Sequence, residues 1–187
     1  KYTNKKITFD DVFVKKIGDT DSFSYILDRS LFRPRDIISF VNECMIAGDG
    51  ATSISAKTIR NAEAAYSKKR LRSLADEWRE VYGDLELPLE SLANLPERFT
   101  LEDVTPAVLE DLCIRVIAGD VRASGRFANE CERISSNQAS WNTLRKIYLE
   151  ILYVIGAIGV KRSSGTPFEW SFRSEPTLNY NYLSSDA

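Results

Sequence analysis

The chain has 187 residues, 43% of them hydrophobic and 28% charged, with a formal net charge of −2. These are the proportions of a folded protein with one large domain or two small ones, and they exclude a polycation that coats nucleic acid or acidic lipid. Histidine is absent, which removes Ser-His-Asp and Cys-His catalysis, His-ligated zinc and the imidazole general base together.

The chain opens "KYTNKKITFD", with no apolar core after its lysines, so no signal peptide is expected. It starts at Lys1 in irregular sequence and reads as a fragment of a longer protein. We assign 1–20 to an N-terminal irregular segment. "DSFSYILDRSL" follows as a short helix from about Ser22, with Asp21 or Ser22 as its cap. In "SLFRPRDIISFVNEC", residues 30–44, Pro34 suits the first turn of a second helix. Ile37, Ile38, Phe40, Val41 and Cys44 give it an apolar face, and the glycines of "AGDG" end it. Arg33 and Arg35 stand where the helix dipole is already positive, a place that favours Asp or Glu. The pair therefore suggests an anion nearby.

A long helix, or two abutting ones restarted at Ser67, is predicted after the cap Ser55. Its basic cluster "YSKKRLR" is followed closely by "DEWRE" and reads as an ordinary charged surface. Residues 20–84 thus form one helical unit, and the Pro-interrupted acidic stretch 85–99 is expected to be a connector.

The second unit, 100–174, starts with Thr105 and Pro106 opening a helix whose apolar residues are Val108, Leu109, Leu112, Ile114, Val116 and Ile117. "DVRASGRFANECERISS" is a weaker helix broken at Gly125. "QASWNTLRKIYLEILYVIG" is a strong one, with a stripe of Trp141, Leu144, Tyr148, Ile151, Leu152 and Ile155. The period then changes to two: Phe168, Trp170 and Phe172 alternate with Glu169, Ser171 and Arg173 after a "SSGTP" turn. Three helices followed by a β-hairpin is the order of a winged helix. The polar tail 175–187 carries Tyr180 and Tyr182 as interface candidates. The other aromatics on apolar stripes, Trp78, Tyr82, Trp141, Tyr148 and Trp170, are read as core. The longest apolar run, 151–160, is too short to span a bilayer. Cys44, Cys113 and Cys131 are odd in number, far apart and in apolar contexts, which fits reduced core thiols and a cytoplasmic location.

Two stretches carry a resemblance. "LFRPRDIISFVNE" resembles the sensor-2 or lid helix of AAA-like P-loop ATPases, in which a Pro-Arg pair opens a helix over the nucleotide. "LYVIGAIGVKRSSGTPFEWSF" resembles the last helix and wing of the winged helix that follows the lid in bacterial STAND-type ATPases. "YSKKRLRSLADEWREVYGDL" is similar to a segment of such proteins, several of them linked to phage defence. The chain lacks GxxxxGK[ST], so no phosphate cradle is encoded here. What the resemblance implies is a mainly α regulatory and recognition region of a larger ATPase, a helical lid-like subdomain followed by a winged helix. The fragment itself is not catalytic, while ATP and Mg belong to a core upstream in cis, through which the protein could form homo-oligomers. Arg33 and Arg35 would be nucleotide-sensing, Arg35 reaching the γ-phosphate; the structural alternative is a surface salt bridge with Asp36 or Asp28.

In the second unit, Asn142, Arg145 and Lys146 lie opposite the core stripe, and Lys161, Arg162 and Arg173 lie on the wing. Between 138 and 173 there are five basic residues against two acidic ones, a modest footprint for DNA contact that would be weak and salt-sensitive. The alternatives are a winged-helix DNA-binding regulator and a scaffold whose winged helix binds protein. No membrane partner and no metal site are expected.

Overall fold

A computed structural model describes residues 6–121, 123, 125–161, 163, 165–173 and 178. The protein is mainly helical, with one small two-stranded antiparallel sheet among the described residues. It divides into two compact units, Lys1–Arg72 and Ser73–Ala187.

The first unit starts earlier than its sequence suggests. Thr8 and Asp11 close a capping box around the one-turn helix α1, Phe9–Val12. β1 (Lys16–Ile17) and β2 (Thr20–Asp21) form a hairpin whose turn includes Gly18 at φ 63°. The expectation of an irregular 1–20 therefore needs correction from residue 8 onward. Polar residues fill this stretch, but Phe13 and Ile17 are buried and anchor it. Val14 donates to the carbonyl of Ile54 at 2.9 Å and Ile54 to that of Val12 at 2.7 Å, which ties the segment to the loop before the long helix.

Asp21 then caps α2 (Ser22–Arg29), accepting from the Ser24 N–H at 2.9 Å. Pro34 is the first residue of α3 (Pro34–Ala47), and Gly48 ends it. Ser55 caps α4, one continuous helix over Ala56–Tyr82 with no restart at Ser67. The core of the unit is Phe13, Ile17, Ile26, Phe40, Cys44, Ile54, Ile59, Ala62 and Tyr66. Ile38, expected inside, is 62% exposed, because the buried side of α3 is shared with two acids, as described below.

The second unit uses the last turns of α4, then α5 (Glu86–Glu90), a 3-10 turn at Ser91–Asn94, α6 (Pro106–Ala118), α7 (Gly125–Ser135) and α8 (Trp141–Val154). The unit boundary falls within α4 rather than at a connector over 85–99. That stretch puts Leu85 and Leu89 into the core, and its Pro88 and Ser91 meet the buried phenol of Tyr148. Pro88 lies within α5 rather than breaking it, and Leu spaced every few residues finds apolar partners. Gly125 opens α7 instead of breaking it. Ile114 and Ile117 on α6 are 58% and 45% exposed, while Cys113 is buried with Leu109 and Leu112, as a core thiol. All three cysteines are free and buried, and burial pushes the Cys44 thiol up to about 11.

Helices α6, α7 and α8 are followed by a hairpin, without an extended sheet among the described residues. Among the described residues the hairpin is closed by one pair, Val160 and Glu169, exchanging hydrogen bonds of 2.9 and 2.7 Å. Side chains hold the rest of it. That register sets Gly159 opposite Trp170, whose ring covers the glycine so closely that a Cβ there would lie 2.7 Å from a ring carbon. Trp170 in turn meets Phe172 at 5.7 Å between ring centres. Of the tail 175–187 only Leu178 is described, and it is buried; Tyr180 and Tyr182 lie outside the described residues.

Gly159→Ala should push Trp170 off the hairpin and destabilise the protein by about 1–3 kcal/mol, the usual cost of overpacking. Urea unfolding followed by tryptophan fluorescence reads both effects, and an unchanged midpoint would show that the ring does not hold the hairpin.

Candidate functional site

The approach to α3 carries the first candidate. Leu31 and Phe32 both take left-handed backbone conformations, φ 52° and 57°, which cost L-residues roughly 1–2 kcal/mol each. Three backbone bonds hold this bend: Leu31 to Asp28, Phe32 to Leu27 and Arg33 to Ser30, at 3.1–3.3 Å. The Ser30 hydroxyl is buried and donates to the Ile26 carbonyl at 2.7 Å, fixing the end of α2. The bend makes Arg33 the N-cap of α3 and places Arg35, exposed, on its first turn. Neither arginine is without a polar or electrostatic partner.

The acid that the helix dipole calls for is present, and it is buried. Asp36 sits in the first turn at 5% exposure, where a carboxylate complements the positive helix end. The salt-bridge alternative put Asp36 against Arg33 or Arg35. Asp36 also meets Arg70 of α4, Oδ2 to Nε at 3.1 Å, with both side chains largely excluded from water. That oxygen is not aligned for a hydrogen bond. One turn on, Phe40 stacks on Tyr66, ring centres 4.7 Å apart. Farther along, buried Glu43 pairs with Lys69. Residues 36, 40 and 43 recur at helical spacing, so a single face of α3 presents acid, aromatic ring and acid to α4. Burial, and behind it the Asp36 carboxylate, push the Tyr66 phenol up to about 12 against the opposing pull of Arg70 and Arg33. Arg33 is thus close enough to enter this electrostatic group.

Earlier along α4, Glu63 accepts from the Tyr25 hydroxyl and from Arg29 Nε, the latter at 2.8 Å, while the Arg29 guanidinium lies over the Tyr25 ring. This cluster fastens α2 to α4. Lys69 and Arg70 of "YSKKRLR" are therefore structural, and Arg70 is a buried partner of α3 rather than part of an ordinary charged surface. Arg79 likewise pairs with Asp76 at 2.9 Å and lies 3.7 Å from Asp84.

In the second unit the residues assigned to nucleic acid separate into two groups. Ser140 caps α8 and accepts from Thr143. Asn142 is exposed and Lys146 half-buried. Arg145 is turned toward the protein: its Nη1 donates to the Leu101 carbonyl at 3.2 Å and its Nε is buried. A guanidinium held in this way braces the segment before α6. Lys161 and Arg173 are exposed on the hairpin; Arg162 lies outside the described residues. Arg98, which carries no signal of its own in the sequence, joins them: its guanidinium lies 5.8 Å from the centre of the Phe168 ring, as does the Lys161 ammonium. Trp78, Tyr82, Trp141 and Trp170 are partly buried, and Tyr148 is fully buried. Burial pushes the Tyr148 phenol up to about 12, so it stays a neutral hydrogen-bonding group.

Among the described residues no group of His, Cys, Asp and Glu is arranged to hold a metal ion, and no helix is long and apolar enough to cross a membrane.

Asp36→Ala should be costly, because it leaves Arg70 largely buried without its counter-ion, a loss of about 3–5 kcal/mol for such pairs. Joint replacement of Asp36 and Arg70 by leucine should recover much of it. Urea denaturation of the single and double variants decides the matter, and a single variant within about 0.5 kcal/mol of the parent would remove the pair from any structural role.

No curated protein and no solved structure matches the chain. Residues 1–75 match the family model of the FunZ-associated C-terminal helical domain, a stretch that covers the first unit and fits the C-terminal region of a larger protein.

Proposed function

We propose that the chain is the regulatory and recognition region of a larger bacterial P-loop ATPase, with phage defence as its process, and that Arg33 and Arg35 face the nucleotide bound by that core. One observation carries the reading: the bend at Leu31 and Phe32. Two consecutive left-handed L-residues are retained although glycine would relieve them, and strain of this kind concentrates at sites where geometry matters more than stability. Here the bend sets the position of Arg33 and the direction from which Arg35 leaves the first turn. The acid of that turn pairs with Arg70 of α4. A guanidinium at a helix entrance is suited to a phosphate, which it can bind by two parallel hydrogen bonds. The similarity of residues 1–75 to a C-terminal helical domain supports the placement of such a region after other domains.

In this reading the fragment supplies no catalytic group. ATP and Mg would be held by the upstream core in cis, and homo-oligomers would form through that core. Arg35 adds positive charge where the transferring phosphoryl group gains negative charge, which links nucleotide state to the position of α3. The second unit then serves as a winged-helix recognition module.

A second reading, nucleic-acid binding by that module, is favoured by the cations on the hairpin, Lys161 and Arg173. The turning of Arg145 onto Leu101 speaks for the hairpin rather than α8 as the contact. Asn142 and Lys146 remain the residues of α8 for such a role, and a protein partner on the same face is the scaffold alternative.

In the full-length protein, Arg35→Ala should lower ATP turnover by about tenfold or more, as loss of a charge-stabilising donor does, and leave thermal stability of the region within a degree or two. Steady-state hydrolysis with a thermal melt is the test, and unchanged turnover would remove the sensor role.

A further inference from the structure

The hairpin of the second unit holds a feature that the ATPase reading does not use. Phe168 is 44% exposed in a protein whose other hairpin aromatics, Trp170 and Phe172, are partly buried. Its position follows from the register. With Val160 paired to Glu169 in an antiparallel bridge, Lys161 stands opposite Phe168, and both point to the face that carries Gly159 and Trp170. Glu169 belongs to the opposite face. Arg98 reaches the same ring from the segment before α6. Both cations lie 5.8 Å from the ring centre, so they are at most twice that distance apart, a span that covers neighbouring phosphates of one strand. Trp170 and Gly159 lock the base of the ring's strand, and Thr166 bonds to Ser163 across the turn at 3.1 Å. The strand that carries the ring is therefore set before any ligand arrives, while the two cations lie over the ring itself, so a base that stacks there moves them outward onto its flanking phosphates.

We propose that Phe168, Lys161 and Arg98 form a binding site for single-stranded nucleic acid, in which an unpaired base stacks on Phe168 and the two cations take the flanking phosphates. The proposal rests on the nucleic-acid reading and narrows it to one strand. An exposed aromatic ring between two cations is the arrangement that single-strand binders use, because every base has a face to stack and each phosphate a charge to neutralise. A duplex hides its base faces, so it could offer this site only its backbone. A groove-reading contact by α8 would have only Asn142 and Lys146 of its three assigned residues, since Arg145 is committed to Leu101. Acidic residues are near, Glu97 beside Arg98 in sequence and Glu169 beside Phe168, and with the overall charge of −2 they make an anionic membrane a poorer ligand than a single strand, whose stacking does not depend on net charge.

Fluorescence anisotropy of the whole chain with a labelled thymidine oligonucleotide of about 20 nucleotides, longer than an ordinary single-strand site, gives the test beside a duplex of equal length. Phe168→Ala should weaken single-strand binding about tenfold or more, the value of one stacked base, while Phe168→Trp retains it. Arg98→Ala and Lys161→Ala should each flatten the dependence of log affinity on log salt by about 0.7. Circular dichroism melts on each variant check folding, and Phe168→Trp, which keeps an aromatic ring, separates stacking from structure. Duplex binding that exceeds single-strand binding and ignores Phe168 would overturn this site while leaving the nucleic-acid reading in place. Absence of binding to either probe would overturn both. Phe168-dependent binding to phosphatidylserine vesicles without oligonucleotide binding would overturn the site in favour of a lipid surface.

Discussion

The first unit depends on what α3 shows to α4. A face built from acid, aromatic ring and acid, rather than from aliphatic residues, admits one register: Asp36 must meet Arg70 while Phe40 meets Tyr66. The stack contributes about 0.5–1.5 kcal/mol beyond the area it buries. The ion pair contributes little net stability, since taking both charges out of water offsets most of their attraction. Its value lies in specificity. Sliding α4 by one turn would keep apolar contact yet leave a buried carboxylate and a buried guanidinium unpaired, which costs several kcal/mol. The register in turn sets the entrance of α3, because Asp36 belongs to its first turn, and the strained bend at Leu31 and Phe32 has to meet a helix end that cannot shift.

That constraint explains how the charge at the α3 entrance divides. A dipole argument based on sequence distance pairs Arg33 or Arg35 with Asp36, their neighbour. On a helix, however, neighbours in sequence point in different directions, and Asp36 points inward with Phe40 while Arg35 points outward. The acid is used for packing, and the positive charge stays near the surface.

Much of the helical layout was legible because it rests on local rules. Asp21, Pro34, Ser55 and Pro106 mark helix starts through the side chain or ring each brings to the first turn, and such signals need no knowledge of the fold. The α3 to α4 pairing was not read, although 36, 40 and 43 share a face and "SKKR" offers the cations, because polar residues are ordinarily assigned to solvent. The burial of 85–99 was missed for a related reason. Proline and acidic residues signal a linker, but here Leu85 and Leu89 settle the matter. For the candidate sites, Arg33, Arg35, Lys161 and Arg173 were visible as charge in an unusual place. Arg98 was not, since its relation to Phe168 spans a long stretch of chain and exists only in three dimensions.

The hairpin makes the same point in the second unit. Alternation of Phe168, Trp170 and Phe172 suggested two strands, yet a single backbone pair closes them among the described residues. Aromatic rings replace the missing ladder: Trp170 covers Gly159 and contacts Phe172, so stability comes from side-chain area where a longer sheet would use hydrogen bonds. A hairpin built this way spends its inner rings on its own closure and leaves the outermost one exposed. Among the described residues Phe168 is covered by Lys161 and Arg98, and these cations keep water close and discourage self-association. The features that hold the hairpin therefore also determine where its only exposed ring among Phe168, Trp170 and Phe172 is displayed.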